Sequence, residues 1–308
     1  MNAGNAGTWL LLVLGIGLII LGTGKFPLPA TNGGAGLDFI DIGGLETIRI
    51  ASGSGSVRFN QADVDGVRLV LGDGLSRNQL EVVQDGASLD IAIHGQLGRS
   101  GMGSDLTVQL SPDLTPDLVV SGSTGQVLLE GMEVGGVTVR SSSGSVRLVD
   151  STMNGDVSIL TSSGTVFLHE LEIIGAVQVA ATAGSTELRA VSARSYDFAA
   201  GSGRFDATGL AGTRLTARAS AGLMNISAVT LLEDWYVQAS AGALTVSFVE
   251  LPENFTFAFE GSSGRLQVAE RYGFRLPAGR PLRYEVDSGN AVGPRLSVRG
   301  SSGSFSLE

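Results

Sequence analysis

Few residues in this sequence have the type and spacing that chemistry needs. There are two histidines, His94 and His169, and neither has a second His or a carboxylate at metal-ligand spacing, so both read as ordinary strand residues. Serine is common beside glycine, yet no Gly-x-Ser-x-Gly elbow occurs and no His recurs near those serines, which leaves a nucleophile without its base. Gly53-Ser54-Gly55 and Gly201-Ser202-Gly203 look like pieces of a phosphate loop. Each leads into another alternating apolar stretch, whereas a phosphate loop leads into a helix whose N-terminus does the binding. Asn60, Asp63, Asp65 and Gly66 form the densest group of oxygen ligands. Their spacing misses the Asp-x-Asp-x-Asp-Gly loop with its closing Glu, so a turn is expected there, with weak Ca²⁺ binding as the alternative.

Arginine offers more. Residues 265–299 hold Arg265, Arg271, Arg275, Arg280, Arg283, Arg295 and Arg299 against Glu270, Glu285 and Asp287, a local net charge of +4 in a chain of net charge −10. Guanidinium forks match phosphate and carboxylate bidentately. Arg271, Arg275, Arg280 and Arg283 are therefore the candidate polyanion-binding surface, the alternative being a solvated loop in an acidic protein. The overall negative charge speaks against nucleic acid as a partner. There is no Cys, so disulfides and thiolate metal sites are excluded. No catalytic residue, cofactor or metal site is expected.

What would position such residues is a repeat. Glycines closing small-small-small-Gly turns fall at 55, 125, 144, 164, 184, 203, 222, 242, 264 and 303. From Gly125 to Gly242 they are 19 or 20 residues apart, the next step is 22, and the last is 39. Around each Gly, the positions seven and five before and two and four after are apolar, as in Val137, Val139, Val146 and Leu148 around Gly144. Thr186 is the sole polar residue in these columns. Pairs of apolar columns two residues apart mark strands with one buried face, so each unit reads strand, tight turn, strand. The turn residue three before the Gly is always small, and the Gly itself is expected at a backbone angle closed to other residues. A weaker apolar column lies seven after the Gly, at Met132, Leu171, Val191, Leu210, Val229 and Val249, broken by Ser151 and Arg271. One such unit cannot offset its own ordering entropy, but stacked units share a continuous core. The expected fold is all-β: a single-stranded β-solenoid with about 19–20 residues per coil.

Residues 60–117 break the rhythm and read as an inserted strand meander that caps the solenoid at its N-terminal end. Residues 118–308 are the stacked repeats, with a protruding loop at 269–295 carrying Pro277, Pro281 and Pro294. Leu128, Leu160, Phe167 and Leu223 alternate away from the core. They are expected to lie under the meander, or else to form a partner-binding patch.

Residues 1–36 stand apart from the 37–308 β-domain. Thr8–Gly24 is an uncharged apolar run with Trp9 near its start and Lys25 just after it, where interfacial anchors belong, and it reads as one N-terminal transmembrane helix at the short end of the spanning range. A signal peptide cleaved after Ala30 is the rival, although "MNAGNAG" lacks the usual basic residues. Lys25 mildly favours a cytoplasmic β-domain, but long domains translocate largely regardless of charge, so export is expected.

The run "LETIRIASGSGSVRF", the later "DLTVQLSPDLTPDLVVSGSTGQVLLEG" and the serial "SSGSVRL" units resemble bacterial adhesin-type families of the toastrack and head-domain kind, over residues 37–308. The resemblance implies a stacked β-repeat domain, often envelope-associated, with adhesive or stress-sensing roles and no catalytic residues to carry over. The functional expectation is a non-enzymatic, membrane-anchored extracytoplasmic binding or structural module. Its partners would be the membrane, through the N-terminal helix, and a protein or anionic glycan or lipid at the bacterial envelope. A cytoplasmic-facing scaffold and a β-helix carbohydrate-active enzyme are the alternatives.

Overall fold

The structure is a computed structural model that describes residues 36–39, 44–72, 75–76, 79–94, 105–230, 232–250, 252–261, 265–269, 283–288, 293–302 and 304–308. The apolar run 8–24 lies outside the described residues, and among the described residues no helix is long and apolar enough to cross a membrane. The chain is all-β, and its strands stack in parallel as the period requires. Val137–Ser141 pairs in register with Asp117–Gly122 on one side and Val157–Thr161 on the other. After the corner glycine, Ser145–Met153 pairs likewise with Gln126–Glu130 and Thr165–Ala181. The strands before each corner build one ladder and the strands after it a second.

Between the ladders lies an apolar core. Every residue of the four apolar columns points into it, and only Val127, Leu266 and Val268 are less than fully buried. Thr186 is buried with them, at 1% exposure.

The corner glycine has a different physical cause from the one expected. Among the described glycines of its column only Gly125 and Gly184 have positive φ, at 128° and 119°. What excludes a side chain is the coil below: a Cβ on Gly144 would lie 2.1 Å from the Gly125 carbonyl oxygen, and one on Gly164 would lie 2.0 Å from that of Gly144. The approach is close because the corner itself is hydrogen-bonded from coil to coil, with Ser145 N donating to Gly125 O at 2.9 Å and Arg204 N to Gly184 O at 2.9 Å. The small residue three before the Gly has a polar task where it is Ser or Thr, since Ser141 Oγ and Thr161 Oγ1 accept the N–H of Gly144 and Gly164, each at 3.0 Å.

The left-handed positions lie elsewhere. Gly131, Asp150, Glu170, Ala190 and Gly209, each six after its corner glycine, have φ between 49° and 68°. Each is skipped as the ladder register advances, as in the step from Val149↔His169 to Ser151↔Leu171. This inserted residue turns the period-two alternation by one, so the seventh position faces inward, as Met132, Leu171, Val191 and Leu210 do. The break at Ser151 is satisfied: its buried hydroxyl donates to Val149 O and accepts from Met132 N. After Gly222 and Gly242 no left-handed residue intervenes. The alternation then runs on, burying Ala228 and Phe248 and leaving Val249 72% exposed. The expected column is therefore wrong at Val249, and its break at Arg271 lies outside the described residues.

Both ends of the stack depart from sequence order. Residues 60–117 do more than meander: Ser88–Ile93 and Asp105–Leu110 make a further coil, parallel to Thr47–Ser52 and Ser56–Gln61. That coil is closed off by antiparallel strands, Leu80–Asp85 on one ladder and Val67–Leu71 on the other. At the far end the last coil in sequence, Arg295–Gly300 with Ser304–Leu307, sits inside the stack. It pairs with Trp235–Ala239 and Ala243–Glu250 on one side and with Phe255–Gly261 and Arg265–Val268 on the other. The stretch expected as a loop carries the strand Arg283–Ser288, which pairs antiparallel with Phe255–Gly261 and covers that end of the first ladder. Antiparallel end strands that present charge, here Arg283, Glu285 and Asp287, are a common defence against edge-to-edge growth.

Candidate functional site

The intercalated coil assembles a charged surface in which Arg283, Arg295 and Arg299 meet Glu260 and Glu285. On the outer face of the first ladder, Gln238, Arg299, Glu260 and Arg283 become lateral neighbours in one row across four strands. Tyr236, Ser297, Ala258 and Glu285 form the next row. Outward residues of adjacent strands stand about 4.8 Å apart, and each of the two rows lines a shallow depression in this face.

Its charges are paired within it. Glu260 accepts from Arg299 Nε at 3.1 Å and from Arg283 Nη2 at 3.2 Å, so two guanidiniums converge on one carboxylate. Arg295 donates to Glu285 at 3.0 Å and to Ser297 Oγ at 3.2 Å. The Arg299 guanidinium lies 5.8 Å from the centroid of the Tyr236 ring, within cation–π range. Tyr236 first, then Glu260, raises the Arg299 pKa; the guanidinium stays charged throughout. The Arg283 side chain is 84% exposed and Glu260 47%, so these are solvated pairs, each of small worth to the fold.

Of the four arginines expected as a polyanion surface, Arg271, Arg275 and Arg280 lie outside the described residues. Arg283 is described, at the end of the first row. Arg295 and Arg299 join it there, but Arg265 lies on the second ladder. The sequence carried one unused signal for this grouping: the 22-residue step between Gly242 and Gly264, longer than any within the regular repeat. A coil that must climb past an intervening rung needs those extra residues.

The other candidates are scattered. His94 pairs with Glu81 at 3.1 Å near the N-terminal end, both side chains well exposed. His169 lies mid-stack on the second ladder, 3.4 Å from Glu187 and edge-on to Phe167. Asn60 lies in the strand Ser56–Gln61 opposite Gln109, while Asp63, Asp65 and Gly66 belong to the connection from it to Val67–Leu71, with Gly66 at φ 94°; no group of three metal-ligating side chains was found among the described residues. The apolar strip is not one surface. Leu128 and Phe167 are separated by Arg147 on the second ladder, while Leu160 is on the first. Contrary to the expected cover, Leu160 and Leu223 remain 39% and 38% exposed, because residues 60–117 extend the stack along its axis instead of folding back over its faces.

One acidic residue is held ionised by geometry. Burial works against the Asp206 carboxylate, but hydrogen bonds from Arg204 and Asn225 outweigh it and hold the pKa below its ordinary value. Burial also pushes the Tyr196 phenol far above the usual tyrosine range, against the opposing effect of backbone hydrogen bonds at Ala193 and Ala211.

The family model described as Toastrack DUF4097 matches residues 45–290. Among solved structures the fold is similar to a "putative adhesin" from Parabacteroides distasonis ATCC 8503, with TM-score 0.55 and 12% identity over 89% of this chain and 95% of that one. It is also similar to a "putative lipid binding protein" from the same organism, with TM-score 0.53 and 14% identity over 90% of this chain and 98% of that one. At these identities the likeness concerns the fold alone. No curated protein matches the chain.

Proposed function

Because this chain belongs to the Toastrack DUF4097 family, we propose that it is a non-enzymatic binding or structural module of the bacterial envelope, adhesin-like or envelope-sensing. In this reading Thr8–Gly24 tethers it to the membrane in a single pass and the β-domain stands outside the cytoplasm. The observation that carries the reading is the row Gln238–Arg299–Glu260–Arg283, a surface array set by four hydrogen-bonded strands. The strands fix the backbone positions from which these side chains project, so a partner meets a preset spacing of charge.

The partner class is an anionic glycan or lipid head group, engaged by Arg283 together with Arg271, Arg275 and Arg280. The convergence of Arg283 and Arg299 on Glu260 supports this, since the same two forks suit a carboxylate or phosphate from outside. The similar fold of a protein named for lipid binding adds head groups to the probes.

Protease treatment of intact cells and spheroplasts tests the placement. Digestion of the β-domain before the membrane is opened is the expected result. Protection until lysis would favour the cytoplasmic scaffold, and recovery of the domain as a free soluble species would mean cleavage after Ala30. Binding is tested with the full chain in detergent, against anionic and neutral vesicles and a glycan array, beside a variant with Arg275, Arg280 and Arg283 changed to Ser. Salt-sensitive binding lost in the variant is expected; binding that is absent or unchanged removes these arginines from the proposal.

A further inference from the structure

The C-terminal coil occupies a slot between two coils that are consecutive in the chain. Trp235–Ala239 and Phe255–Gly261 are joined through residues 240–254, yet each pairs with Arg295–Gly300 and not with the other. The same holds on the second ladder, where Ser304–Leu307 separates Ala243–Glu250 from Arg265–Val268. The wedge is held on both edges: Ser302 N donates to Ser240 O at 2.8 Å and Glu308 N to Val246 O at 2.9 Å, while Ala269 N donates to Leu307 O at 2.8 Å. Asp234 adds a side-chain bond, accepting from Arg295 N at 2.8 Å. Leu296, Val298, Phe305 and Leu307 are buried in the core, with Phe305 stacked 6.2 Å from Phe257.

Two features make this coil separable from the rest. Among the described residues its two strands pair only in parallel, along one edge and the other of each ladder. The two coils that it parts are also matched to each other. Trp235 and Phe257 both align with Leu296, Val237 and Phe259 with Val298, Leu244 and Leu266 with Phe305, and Val246 and Val268 with Leu307. The two walls therefore present the register that pairing with each other would need. A shared register of this kind is what exchange of one packed element for an identical one requires.

We infer that the slot between residues 235–250 and 255–268 accepts the 295–308 coil of a second copy of this chain, giving dimers by reciprocal exchange of the C-terminal coil. The occupant follows from the register: the slot holds Leu296, Val298, Phe305 and Leu307 against its two walls, so the same coil of a second copy fits it residue for residue. Within one molecule the effective concentration favours the home coil, so exchange follows transient opening and grows with protein concentration. The proposal is independent of membrane placement and of any anionic ligand.

Thr245 and Ser306 are aligned neighbours on the outer face of the second ladder, and the native chain has no cysteine. Full-length Thr245→Cys and Ser306→Cys chains, mixed near the denaturation midpoint, returned to native conditions and oxidised, form a Thr245→Cys–Ser306→Cys disulfide only across an exchanged interface. The expected result is a heterodimer, mapped to that pair by peptide mass, which increases with concentration and is absent when the chains are mixed without the denaturant step. The control is the double variant in one chain, which closes internally. An internally closing double variant with no heterodimer overturns the exchange; a double variant that does not close overturns the register on which it rests.

Discussion

Arg299 and Glu260 are 39 residues apart in the chain and 3.1 Å apart in the molecule, because the coil carrying Arg299 enters the stack beside the one carrying Glu260. Glu260 also holds Arg283, so one carboxylate organises the charged row. Replacing it should free two guanidiniums without unfolding anything. For Glu260→Gln the expected change in stability is below about 1 kcal/mol, as for other solvated pairs, while binding to anionic vesicles increases. Thermal melts beside vesicle co-sedimentation check both halves. A large loss of stability would mean that the row supports the fold.

The inward columns carry the stability. Leu148 is fully buried, and Leu148→Asp places an unpaired charge in the core at a cost of several kcal/mol. Arg147, its outward neighbour in the strand, should accept Asp with little change. Urea melts of the two variants are expected to differ widely.

Thr186 sits among apolar residues with its hydroxyl buried and without a hydrogen-bond partner. Thr186→Val keeps the shape and removes an unsatisfied polar group, so it should stabilise the domain by about 1 kcal/mol. A rise in the chemical denaturation midpoint at unchanged slope is the expected signature.

Two backbone sites should respond in opposite directions. Gly164→Ala drives a Cβ into the Gly144 carbonyl and should destabilise by about 1–3 kcal/mol. Ala190→Gly relieves a left-handed residue at φ 51° and should stabilise by up to about 1 kcal/mol, the conformational penalty offset in part by glycine's entropy. Gly53→Ala, where an added Cβ meets nothing within 4 Å, serves as the neutral comparison.

Asp206 makes a pH-dependent contribution. Its folded pKa is depressed, so the folded state favours the ionised form, and the resulting stability is present above the unfolded value of about 3.9. It is lost as pH falls through the lower folded value. Wild type should therefore exceed Asp206→Asn in stability at pH 5–7, with the gap shrinking below about pH 4. A gap that does not change with pH would assign the effect to packing.

Much of this architecture was legible in the residues themselves. Alternation at Val146 and Leu148, recurrence nineteen or twenty residues later and a small corner at Ser141 are local properties; each coil buries the same face against the next, so one coil's pattern predicts its neighbour's. Three matters depended on the assembled stack. The corner glycines are required by a carbonyl of another coil, a contact absent from any single unit. The inward position after the corner depends on whether a left-handed residue intervenes, and Asp150, Glu170 and Ala190 are not residues that announce one. The order of coils at the ends was decided by which strand edges remained to be paired: Arg295–Gly300 could lie beside Trp235–Ala239 or beyond Phe255–Gly261 with the same inward pattern. Hydrophobic periodicity fixes which side chains face the core, but it is identical for every coil, so the choice of neighbour, and with it the grouping of Arg283, Arg295 and Arg299 around Glu260 and Glu285, belongs to the tertiary structure alone.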